Sequence, residues 1–330
     1  MNLSLVTIAK ALVTPGKGIL ALDWSKETIT KKFSEVGVTS TPEVNRVYRQ
    51  MLVKTPGIES FVSGIILNEE TARQKTDEGI PFPEFISGKG IVPGVRADRG
   101  GESFGGGEEE VTVGIEDLDS RLKEFVPMGL RFTKWRAVFK ISGKYPSKEF
   151  LEEDLGRLVK FATVSLENNF IPIVEPEVSM KGPHTTTSCA ETTTLVLTTM
   201  FNKLKEGSVD LKNIILKTSM VIPGQDSGMK AGPLEVAEAT LRTLRNSVPP
   251  EVPGIVFLSG GQSPEEATLN LNEIVKRKED APWDISFSFA RALQGEALTA
   301  WAGKEENVVA AQQALLTRLE KVSKARAGEL

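Results

Sequence analysis

Short apolar stretches recur along the chain, with room for a helix between most of them. They run from Gly18 to Asp23, Val62 to Asn68, Ile91 to Asp98, Phe132 to Ile141, Phe170 to Val178, Asn213 to Val221, Gly254 to Gly261 and Asp284 to Leu293. Runs this short and this rich in Ile, Leu and Val predict strands buried on both faces, as in a parallel sheet. Helical spacing fills most of the gaps: Pro42 to Lys54, Ile115 to Val126, Lys148 to Asn168, Thr192 to Lys205, Leu234 to Asn246 and Pro264 to Arg277. A closing pair follows at Arg291 to Ala302 and Glu305 to Ala325. Strand–helix alternation builds βαβ units. Eight of them predict an α/β fold, a closed (β/α)8 TIM barrel of parallel strands, in a single domain over residues 1–330. The competing arrangement is an open doubly wound sheet. Its dinucleotide-binding form would carry a Gly-rich fingerprint after the first strand, and none follows Asp23. Gly105-Gly106-Gly107 precedes three glutamates and reads as a loop, not as a phosphate cradle.

The 330 residues exceed an average domain but suit one barrel. Net charge is -4, with acids and bases interspersed. No basic block points to nucleic acid, and no apolar stretch is long enough to span a bilayer. Met1 to Thr14 is mildly amphipathic and lacks the apolar core and cleavage site of a signal peptide. Cys189 is the one cysteine, so no internal disulfide forms; an ordinary thiol in a cytoplasmic protein is expected. His184 is the one histidine, in a Pro/Thr-rich segment that reads as surface loop. One histidine and one cysteine do not supply a catalytic zinc site, so no metal is expected. The chemistry falls to Lys, Arg, Asp, Glu and Ser.

Those residues gather on the strands. Asp23 ends the first; Arg96 and Asp98 lie on the third; Lys134, Arg136 and Lys140 on the fourth; Glu175 and Glu177 on the fifth; Lys217 on the sixth; Arg291 on the eighth. Side chains alternate along a strand, so Lys134 shares a face with Arg136, and Glu175 with Glu177. Charges pointing into a barrel are costly unless they meet one another or a polar ligand. In barrels, chemistry collects at the carboxyl ends of strands. Lys217 interrupts an otherwise apolar run. Desolvation and cationic neighbours there would lower its pKa and free an amine to attack carbonyls. The plainer reading of Lys217 is an exposed lysine at a strand end.

Two anion sites are legible. Ser259, Gly260 and Gly261 precede Ser263-Pro264-Glu265-Glu266, which has the form of a capping box with proline at the first helical position. Glycines there let backbone N–H groups approach a phosphate, and Arg291 would add a charge-assisted contact. A tight turn before a well-capped helix is the plainer alternative. A second basic set near the first strand, Ser25, Lys31 and Lys32 with Arg96 and Arg136, would hold another phosphate; Lys31 and Lys32 also fit a solvated helix face. A lysine between two anion sites, with carboxylates beside it, suggests Schiff-base chemistry on a phosphorylated carbonyl compound.

These motifs resemble class I fructose-1,6-bisphosphate aldolase, from Pro15-Gly16-Lys17-Gly18-Ile19-Leu20-Ala21 to Trp301-Ala302-Gly303-Lys304-Glu305-Glu306-Asn307. Lys134-Trp135-Arg136, Ile173-Val174-Glu175-Pro176-Glu177, Leu216-Lys217, Phe257-Leu258-Ser259-Gly260-Gly261-Gln262-Ser263 and Arg291-Ala292-Leu293 stand in the family's order on separate strands. The resemblance implies that Lys217 forms the imine and that Glu175 is the acid/base that expels water. Asp23 and Lys134 would be the charged groups beside the nucleophile, and Glu177 a supporting carboxylate. It further implies that Ser259, Gly260, Gly261 and Arg291 hold the phosphate on the dihydroxyacetone side, and Ser25 and Arg136 the other. A sugar phosphate is the implied partner, with no cofactor and a homo-oligomeric, tetrameric assembly.

Four departures stand out. Trp24 replaces the family's acid in Ala-Asp-Glu-Ser, Arg96 replaces a phosphate-binding lysine, and Phe289-Ala290 replaces Tyr-Gly. The animal-type tail ending in tyrosine has no counterpart before Leu330, so another group is expected to protonate the enamine, or that step is slow. A Schiff-base lyase on a different sugar phosphate and a weakly active sugar-phosphate-binding scaffold are the other readings. The intact Lys217, Glu175, Asp23 and Lys134 oppose the second.

Overall fold

A computed structural model describes residues 4–330. Eight parallel strands close into a barrel: β1 (Gly18–Ala21), β2 (Val62–Leu67), β3 (Val92–Arg96), β4 (Phe132–Phe139), β5 (Ile171–Val178), β6 (Ile215–Thr218), β7 (Gly254–Phe257) and β8 (Asp284–Phe289). Each pairs with its chain neighbours, and β8 returns to β1. All eight predicted strands are present, trimmed at their ends. The helix predicted from Pro264 to Arg277 has those bounds, and the one predicted from Thr192 begins earlier, at Thr186, capped by Thr185.

The strands change character along their length. Inward positions near their starts are apolar and pack together: Ile19, Ile66, Phe132, Ile171, Ile173, Ile215 and Val256. By the two-residue period, the next inward positions on β4, β5 and β6 are Lys134, Glu175 and Lys217. The barrel is therefore dry below and charged above. Packing in the lower layer is close enough to dictate a glycine: a Cβ on Gly94 would lie 2.4 Å from the Phe132 ring.

The lower end is closed by a helix, Leu5–Leu12, whose Ile8, Ala9 and Leu12 join this inner cluster. The mild amphipathicity of the N-terminal segment comes from this plug. The sequence reading also missed the helix Lys26–Ser34, two short helices (Glu69–Arg73 and Phe82–Gly88), and a small antiparallel hairpin, Gly101–Ser103 with Glu110–Thr112. The triple glycine lies in that hairpin's turn, with Gly105 and Gly106 at positive φ.

Candidate active site

Five strand ends bring their charges to one point. Lys134 Nζ sits 2.9 Å from Glu175 Oε2, 3.2 Å from Asp23 Oδ2 and 3.7 Å from Asp98 Oδ2. Lys217 Nζ lies 3.0 Å from Glu175 Oε1. One carboxylate thus bridges two ammonium groups, one per oxygen. All of these side chains are buried, with Lys217 only 5 % exposed. Isolated charges at such depth would be prohibitive; here three cations (Lys134, Lys217, Arg96) face three anions (Asp23, Asp98, Glu175).

The electrostatics follow. Burial alone would raise the Asp23 carboxyl, but Lys134, Lys217 and Arg96 outweigh it and hold the carboxyl at about 2. Burial works against the Lys134 ammonium, yet Glu175, Asp23 and Asp98 together push its pKa above the usual lysine value. Lys134 is therefore a fixed cation. Glu175 Oε2 is buried against the Lys134 ammonium without an aligned hydrogen bond.

The remaining expected residues divide. Arg136, on the face of Lys134, is 44% exposed and forms a two-pronged pair with Glu177, at 2.7 and 2.8 Å. Arg96 is turned onto Asp98, its Nε 2.7 Å from Oδ1. Asp98, which had no role beyond its place on the third strand, is thus part of the cluster. Ser25 caps the helix Lys26–Ser34, accepting from Thr28 N–H at 3.2 Å. Ser259 is buried, and Gly261 has φ +78°; a Cβ there would lie 2.5 Å from Met180. The capping box of Ser263 and Glu266 is formed as expected.

Two expectations, on Arg291 and His184, need correction. Arg291 is not on the eighth strand: β8 ends at Phe289, and Arg291 is exposed as the first residue of the helix Arg291–Trp301. Its guanidinium still reaches the strand-seven turn, donating to Gln262 O at 3.3 Å. Lys31 and Lys32 do not join the charged cluster. Lys31 is exposed on its helix, and Lys32 pairs with Glu35 at 2.7 Å. Lys32 does line a cleft of about 520 Å³ with Trp24 and Arg291. His184 is not a surface residue but 7% exposed, with neither ring nitrogen hydrogen-bonded.

Cys189 is buried and free, and burial pushes its thiol up. Among the described residues no group of three or more His, Cys, Asp or Glu side chains is arranged to hold a metal ion. Nor is any helix among them long and apolar enough to cross a membrane.

Comparison with known proteins agrees with this geometry. The family model described as fructose-bisphosphate aldolase class-I matches residues 4–330. Fructose-bisphosphate aldolase 5, cytosolic, of Arabidopsis thaliana is 45% identical over 326 residues, 98% of this chain and 91% of its own. The cytoplasmic isozyme of Spinacia oleracea is 42% identical over 326 residues, with the same coverage of each chain. The solved fructose-bisphosphate aldolase of Plasmodium falciparum, in complex with TRAP and a small-molecule inhibitor, superposes with a TM-score of 0.96 at 41% identity. That match covers 98% of this chain and 94% of the other. A barrel with a lysine on its sixth strand, flanked by carboxylates from the first and fifth, and a family match along the whole described length lead to one assignment: the chain belongs to the class-I fructose-bisphosphate aldolase family.

Proposed function

We propose that the buried cluster carries out reversible cleavage of fructose 1,6-bisphosphate to dihydroxyacetone phosphate and glyceraldehyde 3-phosphate, through an imine on Lys217. The observation that carries this reading is the Lys217–Glu175–Lys134 bridge beside Asp23. Glu175 Oε1 is within reach to take a proton from the Lys217 ammonium. The freed amine attacks the C2 ketone and gives a carbinolamine. Glu175 then returns that proton to the C2 hydroxyl, which leaves as water, and an iminium remains. Lys134, held positive, stabilises the carboxylate each time it is regenerated.

Asp23, ionised across the physiological range, takes the C4 hydroxyl proton. The C3–C4 electron pair moves into the iminium, glyceraldehyde 3-phosphate leaves, and an enamine forms. Protonation at C3 and hydrolysis release dihydroxyacetone phosphate. Ser259, Gly260, Gly261 and Arg291 hold the phosphate on the dihydroxyacetone side. Ser25, Arg136 and the outer edge of Arg96 meet the other, and Glu177 orients Arg136. No cofactor or metal enters these steps. The cytosolic and cytoplasmic names of the relatives support a cytoplasmic location. The resemblance supports a homo-oligomer, with a tetramer as the expected form, which sedimentation velocity would read.

The test is borohydride reduction in the presence of dihydroxyacetone phosphate, followed by peptide mass mapping. The reduced adduct should sit on the peptide containing Lys217. An unmodified Lys217, or label on Lys134 alone, would defeat the assignment.

A further inference from the structure

Asp98 has more contacts than a strand-end carboxylate needs. It is 2% exposed at the side chain. Oδ1 accepts from Arg96 Nε at 2.7 Å and from Gly100 N–H at 3.3 Å. Oδ2 accepts from the backbone N–H of Arg136 at 3.2 Å and faces Lys134 Nζ at 3.7 Å. Regular pairing of β3 with β4 stops at Arg96 and Lys134, and Ala97 N–H makes one more bond to Lys134 O. The side chain of Asp98 then takes the next β4 N–H. It clips β4 at the level from which Lys134 and Arg136 project.

A neutral amide could serve as that clip. A charge is needed for two other reasons. Asp98 is the only ion-pair partner of Arg96 among the described residues, at the edge of a cluster of three cations and three anions. Without it, the Arg96 guanidinium would be left beside Asp23, where it would compete with Lys134. Lys134 would lose one of the three carboxylates that surround it and would be free to shift away from Glu175.

We propose that Asp98 is a positioning residue for the carbon–carbon cleavage step. It holds Arg96 away from Asp23 and holds Lys134 against Glu175 and Asp23. The proposal rests on the reading of Lys217, Glu175 and Asp23 given above. Asp98 touches no reacting atom and acts through its two cationic neighbours.

The test compares Asp98→Asn and Asp98→Glu with the unaltered protein by steady-state kinetics and by borohydride trapping. Asparagine keeps an acceptor for Arg136 N–H and loses the charge; glutamate keeps the charge. Asp98→Asn should lower kcat roughly 10- to 100-fold, the scale of an ångström-level misplacement. KM for the bisphosphate should change less than kcat, through Arg96 alone, and Lys217 should still be trapped. Asp98→Glu should recover most of the lost kcat. Unchanged kcat in Asp98→Asn would overturn the proposal, and so would an equal loss in both variants, which would mark a purely structural clip. If Asp98→Asn does not fold, the double variant Arg96→Gln, Asp98→Asn removes both charges and keeps the cluster neutral. With Arg96 gone only the hold on Lys134 is lost, so a smaller fall in kcat is expected from it, beside a rise in KM from the missing Arg96 contact, and wild-type kcat would overturn the role. Absence of an imine on Lys217 in the unaltered protein would instead bring down the reading of the site itself, whatever Asp98 does.

Discussion

Arg291 shows how one residue can reach a turn from an unexpected place. It opens a helix instead of ending a strand, yet its guanidinium bridges to Gln262 O on the turn that carries Gly260 and Gly261. A phosphate in that turn would meet backbone N–H groups on one side and Arg291 on the other. A charge-assisted hydrogen bond contributes about 1.5–3 kcal/mol. Arg291→Ala should therefore raise KM for the bisphosphate by roughly 10- to 100-fold and weaken binding of dihydroxyacetone phosphate, which titration calorimetry would read. Unaltered affinity would move the phosphate site elsewhere. Trp24, next to Asp23, differs in kind: its ring lies 6.4 Å from that of Tyr48 at an interplanar angle of 11°. It forms an apolar wall of the cleft beside Arg291, where the family has a carboxylate.

At the scale of elements, the hairpin that follows β3 is tied down by a buried acid. Thr112 N–H donates to Asp154 Oδ1 at 2.8 Å, and the Thr112 hydroxyl donates to Arg136 O at 3.0 Å. That hydroxyl has one proton, so the 3.3 Å contact with Asp154 Oδ2 is best satisfied when the acid is the donor. Burial raises the Asp154 carboxyl from 3.8 to about 6, against the Thr112 contacts and Arg157. The folded protein then holds a proton that the unfolded chain releases, so stability from this group falls as pH rises from 3.8 to about 6. Asp154→Asn keeps the neutral hydrogen-bonding pattern and removes the slope. It should match the unaltered protein below that window and be more stable by roughly 2–3 kcal/mol above it. Urea unfolding across the window checks this, and identical pH slopes would refute it.

For the whole molecule, the two ends of the barrel have separate duties. The N-terminal helix fills the lower end, and Leu12 is fully buried against the inner cluster. Leu12→Ala should cost about 2–5 kcal/mol of stability. Because the charged cluster sits at the other end, kcat of the folded fraction should stay near wild type. A matching fall in kcat below the unfolding temperature would mean that the ends are coupled. The upper end offers no histidine- or cysteine-rich site and presents lysines and carboxylates. Activity should therefore survive a strong chelator in full, and loss restored by a divalent ion would contradict the metal-free scheme.

Much of the molecule is written in local pattern. Eight apolar runs separated by helical spacing are enough for a parallel barrel, because period and length are properties of a few neighbouring residues. Lys217 in an apolar strand, with Glu175 and Glu177 two positions apart, likewise marks charge facing inward. The partners of those charges were not legible. Lys134 meets Asp23, Asp98 and Glu175 only because closure of the sheet brings the ends of β1, β3, β4 and β5 together across long separations in sequence. For the same reason Lys31 and Lys32, close to Asp23 along the chain, turn with their helix away from the cluster, and His184, loop-like in composition, is buried. The N-terminal plug was also hidden, since its mild amphipathicity acquires meaning only from the open barrel end that it fills. Alternation sets which face a side chain takes, but the curvature of the closed barrel decides what it meets there.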